Sequence, residues 1–124
     1  CIAFSPLAQG MLSEKYISKI PNISRANEDS SLSPKFITKS YKEKIINLKK
    51  IADKRNQTIS QMALSWVLRH KEVTSALIGA RTLKQLDECL DSLNNLNFTA
   101  KELKSIDKFA KEENINLWSA SSKN

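Results

Sequence analysis

Two stretches of this 124-residue chain hold residue types suited to binding an anion. The sharper is Gly79-Ala80-Arg81, followed at once by Thr82-Leu83-Lys84-Gln85, a helix-opening pattern. A helix N-terminus presents backbone N–H groups and the positive end of its dipole. Arg81 adds a permanently charged planar donor, suited to a phosphate. A surface arginine in a turn is the plainer reading, and position alone leaves both open. The second stretch, Ser5-Pro6-Leu7-Ala8-Gln9-Gly10, has small residues that let a flat or phosphate-bearing ligand approach the backbone. Lys15 and Arg25 follow in the same loop, as ligands or as solvated charges. A loop running from residue 7 to 34 is uncommon unless it binds something.

Other chemistries find little support. His70 is the only histidine, placed at a helix end where a favourable charge on the helix dipole suffices to explain it. Cys1 and Cys89 are far apart and form no metal-ligand spacing, so neither zinc nor a disulfide scaffold is expected and a reducing cytoplasm fits best. The net charge of +7, from 20 basic and 13 acidic residues, favours an anionic partner. Many lysines alternate with acids, as in Tyr41-Lys42-Glu43-Lys44, which reads as a solvated helix face. No stretch approaches the roughly 20 apolar residues of a membrane span.

The elements that must position these residues follow from pattern. Residues 1 to 4 form a short strand stopped by Ser5-Pro6. Leu7 to Tyr16 can hold a short helical turn. Ser33-Pro34 is expected to start a helix running to about Arg55, with Ile37, Tyr41, Ile45, Leu48 and Ala52 on one face. Thr58-Ile59-Ser60-Gln61 is a capping box opening a second helix, expected to end near His70. Val73 to Ile78 reads as a buried strand pointing at Gly79. Thr82 and Thr99 open further capping boxes, backed by Leu83, Leu86, Leu90 and Leu93 in one helix and by Leu103, Ile106 and Phe109 in the other. Strands alternating with helices imply an α/β unit with a parallel sheet. Two strands do not make a stable sheet, so the pattern is expected to be a slice of a larger one. The apolar start at Cys1, with neither initiator Met nor signal-peptide pattern, is expected to be a cut edge.

Taken together, Phe4 to Gly10, Lys15-Tyr16, Ile20-Pro21, Ser24-Arg25, Gln61 to Leu68, Val73-Thr74-Ser75 and Ile78-Gly79-Ala80-Arg81-Thr82 with Gln85-Leu86 and Glu88 resemble aldo-keto reductases. The ending Asn116-Leu117-Trp118-Ser119-Ala120-Ser121-Ser122 resembles the glyceraldehyde 3-phosphate reductase branch, near the potassium-channel beta subunits. The resemblance implies that residues 1–124 are a single partial domain, the C-terminal portion of a (β/α)8 TIM barrel covering strands 7 and 8 with their helices. It implies NADP as cofactor. Ser5, Pro6, Leu7, Ala8 and Gly10 would line the pyrophosphate and nicotinamide side, and Lys15 and Arg25 would clasp phosphates. Gly79, Arg81, Gln85 and Glu88 would hold the adenosine and its 2′-phosphate. Cys89 stands where the family usually has Asn, and Lys19 where it often has Gly. The family's catalytic Asp, Tyr, Lys and His would precede Cys1, so no catalytic residue and no metal ligand is assigned in this chain.

The expected function is therefore the cofactor-binding part of an NADPH-dependent reductase of aldehydes or ketones, inactive as this chain alone. A small-molecule carbonyl substrate is the expected partner of the intact protein, with no nucleic acid or membrane. The open strand edges are expected to be hidden by self-association or by pairing with the missing N-terminal half. Two alternatives are a cofactor-binding interaction subunit of the channel-beta kind and a basic nucleic-acid-binding module. The second is disfavoured because no helix concentrates Arg and Lys with stacking aromatics.

Overall fold

The computed structural model describes residues 1–17 and 34–111. Arg25, Lys19, the Ile20-Pro21 and Ser24-Arg25 motifs and the tail from Asn116 lie outside them. Strand β1 (Ile2–Phe4) pairs in parallel with strand β2 (Ser75–Leu77), in the register Ile2↔Ser75, Ala3↔Ala76, Phe4↔Leu77. Between them lie two short 3-10 turns (Ala8–Gly10 and Glu14–Tyr16), a third at Pro34–Phe36, and helices α1 (Lys39–Lys54) and α2 (Ile59–Val67). Helix α3 (Leu83–Asp91), a 3-10 turn (Ser92–Asn94) and α4 (Ala100–Phe109) follow β2.

The core lies among the helices. Tyr41, Ile45, Leu48 and Ala52, spaced four, three and four residues apart, fall on one face of α1 and are buried against Ile59, Met62 and Ile106, with Met11 and Tyr16 from the loop. Helix α1 ends in a Schellman arrangement: Gln57 N–H donates to Ala52 O and Asn56 N–H to Asp53 O, with Asn56 left-handed at φ 53°. Asparagine is one of the few residues that tolerate this conformation. The sharp stop lets Thr58 cap α2 immediately.

A buried polar clamp joins this corner to the start of α4. The Arg55 side chain, 2% exposed, donates to Gln57 Oε1 (2.9 Å), Asn97 O (2.9 Å), Asn95 O (3.2 Å) and Glu102 Oε2 (2.9 Å), and its guanidinium lies 3.7 Å from the Phe98 ring. Gln57 Nε2 donates in turn to the Ser65 hydroxyl (3.0 Å), which reaches Ser92 O (2.8 Å). Each guanidinium nitrogen and Gln57 Nε2 thus has a protein acceptor, as burial requires.

Four expectations need correction. The first helix begins at Lys39, not at Ser33-Pro34, because the Thr38 hydroxyl accepts from Tyr41 N–H and supplies a better cap five residues later. Helix α2 ends at Val67 rather than near His70, its Leu68 N–H closing on Leu64 O. The Thr82 motif is half a capping box: Thr82 Oγ1 accepts from Gln85 N–H (3.2 Å), but Gln85 Oε1 accepts from Arg81 N–H (2.8 Å), one residue earlier. Strand β2 is not buried: within the described residues the strand pair has no covering layer, and Ile2, Phe4 and Leu77 are exposed. The α3 stripe is bare for the same reason, with Leu83 79% exposed and Cys89 the buried residue of that helix.

Candidate cofactor site

Because β1 and β2 run parallel and Phe4 pairs with Leu77, their following segments leave the same edge of the sheet side by side. The carboxyl ends of parallel strands are where α/β proteins place ligands. A groove of about 720 Å³ opens there, within the usual range for small-molecule sites. Ser5, Pro6, Leu7, Gly10 and Lys15 line it from the first loop, Gly79 and Arg81 from the second, and Gln85 and Glu88 from helix α3. Both segments that the sequence singled out thus meet across one space. Ala8 is not among the lining residues.

The first loop is held in an unusual shape. Ser5, Ala8 and Gln9 take left-handed φ values of 52°, 46° and 58°, and Gly10 follows at 91°. Each non-glycine residue in that region costs about 1–2 kcal/mol, and such strain gathers at functional sites. The turn is locked by Ala8 N–H on Ser5 O (3.0 Å) and by Gly10 and Leu12 N–H on Leu7 O (2.9 and 3.2 Å). Tyr16, wholly buried, packs beneath Gly10, and the Lys15 ammonium lies 5.6 Å from its ring.

The second wall is the N-terminus of α3. Gln85 bends back to fix the Arg81 backbone through its amide oxygen, so Arg81 sits at the positive end of the helix dipole. Gly79 has no positive φ to demand glycine, and a Cβ there would meet no atom within 4 Å, only the open groove. Glu88 Oε1 accepts from the Thr58 hydroxyl (2.8 Å). Burial, then the neighbouring Glu88 carboxylate, pushes the Cys89 thiol pKa up, so it stays protonated.

Sequence reasoning missed the third wall. Thr58, Ile59 and Ser60 line the groove between the two loops, as do Ser13 and Glu14. The signal was present: a helix leading into a parallel strand runs against it, so the Thr58 capping box belongs at the strand's carboxyl edge. Glu14 is drawn toward Lys49 (3.1 Å), whose pKa is raised by its hydrogen bonds to Asp53 and to Glu14. The groove thus offers Lys15 and Arg81, one from each strand-following segment, an apolar floor including Leu7, Ile59 and Leu77, and a fixed carboxylate at Glu88. The two cations suit a ligand that carries phosphate, and the apolar floor suits a less polar part of it. His70 lies before β2, at the opposite end of the strand from Gly79. Among the described residues no group of three or more His, Cys, Asp or Glu could hold a metal, and no helix is long and apolar enough to cross a membrane.

The sequence profile of the Aldo/keto reductase family matches residues 1–111, and the chain belongs to that family. It is 45% identical over 98% of its length to an L-glyceraldehyde 3-phosphate reductase of Escherichia coli K12, and 44% identical to its counterpart in strain O157:H7. A more distant relative is the aldo-keto reductase str7 of Strobilurus tenacellus, 29% identical over 92% of the chain. The chain spans 36% of the length of the bacterial relatives and 34% of the fungal one. Its α/β character agrees with the barrel fold that family membership implies.

Proposed function

We propose that this chain is the C-terminal, cofactor-binding part of an NADPH-dependent aldo-keto reductase, its strands being the seventh and eighth of the barrel. The observation that carries this reading is the convergence of Ser5–Gly10 and Gly79–Arg81, with Lys15 and Arg81, on one groove at the carboxyl edge of a parallel pair. The phosphates would meet Lys15 and, from the part of the loop outside the described residues, Arg25. Ser5, Pro6, Leu7 and Gly10 would bound the pyrophosphate and nicotinamide side. Gly79, Arg81, Gln85 and Glu88 would face the adenosine half, with Arg81 on the 2′-phosphate.

When bound, the cofactor supplies the hydride that reduces a carbonyl. This chain's own residues bind, orient and exclude water. No described lining residue is a His or Tyr suited to protonate the carbonyl oxygen. That acid would come from the rest of the barrel, which would also cover the bare faces of β1, β2 and α3. The names of the bacterial relatives support a phosphorylated aldehyde as substrate. The test is aldehyde-dependent loss of NADPH absorbance, with this chain alone and with the polypeptide carrying the remaining strands. Turnover is expected from the intact barrel and none from the chain. Turnover by the chain alone, or an intact barrel that ignores NADPH, would overturn the reading.

A further inference from the structure

We infer that Thr58 is a positioning residue of the cofactor site, holding the Glu88 carboxylate at the adenosine end of the groove by a hydrogen bond from the start of a different helix. The inference rests on the reading that Glu88 faces the adenosine half. Thr58 caps α2, and its hydroxyl does two things at once: Oγ1 accepts from Gln61 N–H (3.1 Å) and donates its single proton to Glu88 Oε1 (2.8 Å). Thr58 N–H is meanwhile given to Gln61 Oε1 (2.9 Å). The hydroxyl is thus held by two hydrogen bonds, one accepted and one donated, while the backbone bond to Gln61 fixes the residue that carries it. Both Thr58 and Glu88 are half-buried and both line the groove.

Capping alone needs only an acceptor oxygen; the donation to Glu88 is additional chemistry that Asp at this position would lack. A hydrogen bond to a carboxylate is charge-assisted and strong among its kind. It restrains a side chain with three rotatable bonds and fixes where its lone pairs point, so the ligand need not order it on binding. The same contact ties α2 to α3, which carry two walls of one site.

The experiment separates the two duties of the hydroxyl in the intact barrel, reading NADPH affinity by fluorescence titration and fold by thermal melting. Thr58→Ser keeps cap and donor and should leave affinity within about twofold. Thr58→Asp keeps an excellent cap but removes the donor and sets a carboxylate against Glu88, so affinity should fall about tenfold, with a lower melting temperature as the α2–α3 tie is lost but the transition still cooperative. In a Glu88→Ala background, itself weaker for NADPH, Thr58→Asp should add almost nothing, because the group it positions is gone. An equal loss in both backgrounds, or no loss with Thr58→Asp while Glu88→Ala weakens binding, overturns the inference and spares the site. If Glu88→Ala leaves affinity unchanged, the assignment of Glu88 to the adenosine half fails, and the inference with it.

Discussion

Replacing Arg55 by Ala removes the densest set of polar contacts in the described residues, and its cost can be worked from the geometry. The guanidinium is nearly inaccessible, and its hydrogen bonds end on Gln57, the Asn95 and Asn97 carbonyls and Glu102. Asn95 O keeps Gln57 Nε2 at 3.2 Å and Glu102 Oε2 keeps Thr99 N–H at 2.8 Å, so the partners are not all orphaned. Removing one member of a buried ion pair costs about 3–5 kcal/mol, and the Glu102 side chain at 28% exposure argues for the lower end. Loss of the stacking on Phe98 adds about 1 kcal/mol. The expected total, about 4 kcal/mol, is a large share of the roughly 5–15 kcal/mol that holds a domain together. Arg55→Lys, which keeps charge but loses the fork, should cost about half as much. Urea unfolding followed by tryptophan fluorescence reads both. A loss under about 1 kcal/mol for Arg55→Ala would refute the clamp.

Three further outcomes follow from the same structure. Tyr41 donates to Met11 O at 2.6 Å, and burial, then neighbouring Tyr16, pushes its pKa far above the ordinary 10.0. Tyr41 and Cys89 both hold their protons more tightly folded than unfolded, so the stability they lend is full below about pH 9 and is lost as pH rises past their ordinary values. Tyr41→Phe should therefore cost about 1 kcal/mol at neutral pH and reduce the alkaline loss seen in pH-dependent melts; an unchanged alkaline limb would contradict this. Because Cys89 is buried, protonated and in the groove wall, iodoacetamide should alkylate it slowly and NADPH should slow it further, whereas labelling indifferent to NADPH would remove it from the site. With Phe4, Leu77 and Leu83 bare, the chain alone should sediment as an oligomer, and a monodisperse monomer would count against pairing of its open faces.

The legible parts of the fold were those encoded locally. Thr58 and Thr99 announce their helices within four residues, and both boxes form in full. Thr38 was overlooked because Tyr41 cannot complete such a box, although its backbone N–H still takes the Thr38 hydroxyl. Arg55 gave no warning: apart from Gln57, its partners Asn95, Asn97 and Glu102 lie 40 to 47 residues away. At the site, the two loops were visible as motifs, but their meeting depends on the Phe4↔Leu77 register. The Thr58–Glu88 bond joins residues thirty apart and was hidden for the same reason.

In the proposed function, Arg81 at the N-terminus of α3 would meet the phosphate that distinguishes NADPH from NADH. Titrating both cofactors against the intact barrel before and after Arg81→Glu tests it most directly. The change removes charge-assisted hydrogen bonds worth about 1.5–3 kcal/mol and adds repulsion, so NADPH affinity should fall about tenfold or more. NADH, lacking that phosphate, should bind almost as before. Equal losses for the two cofactors, or no loss for either, would contradict the account.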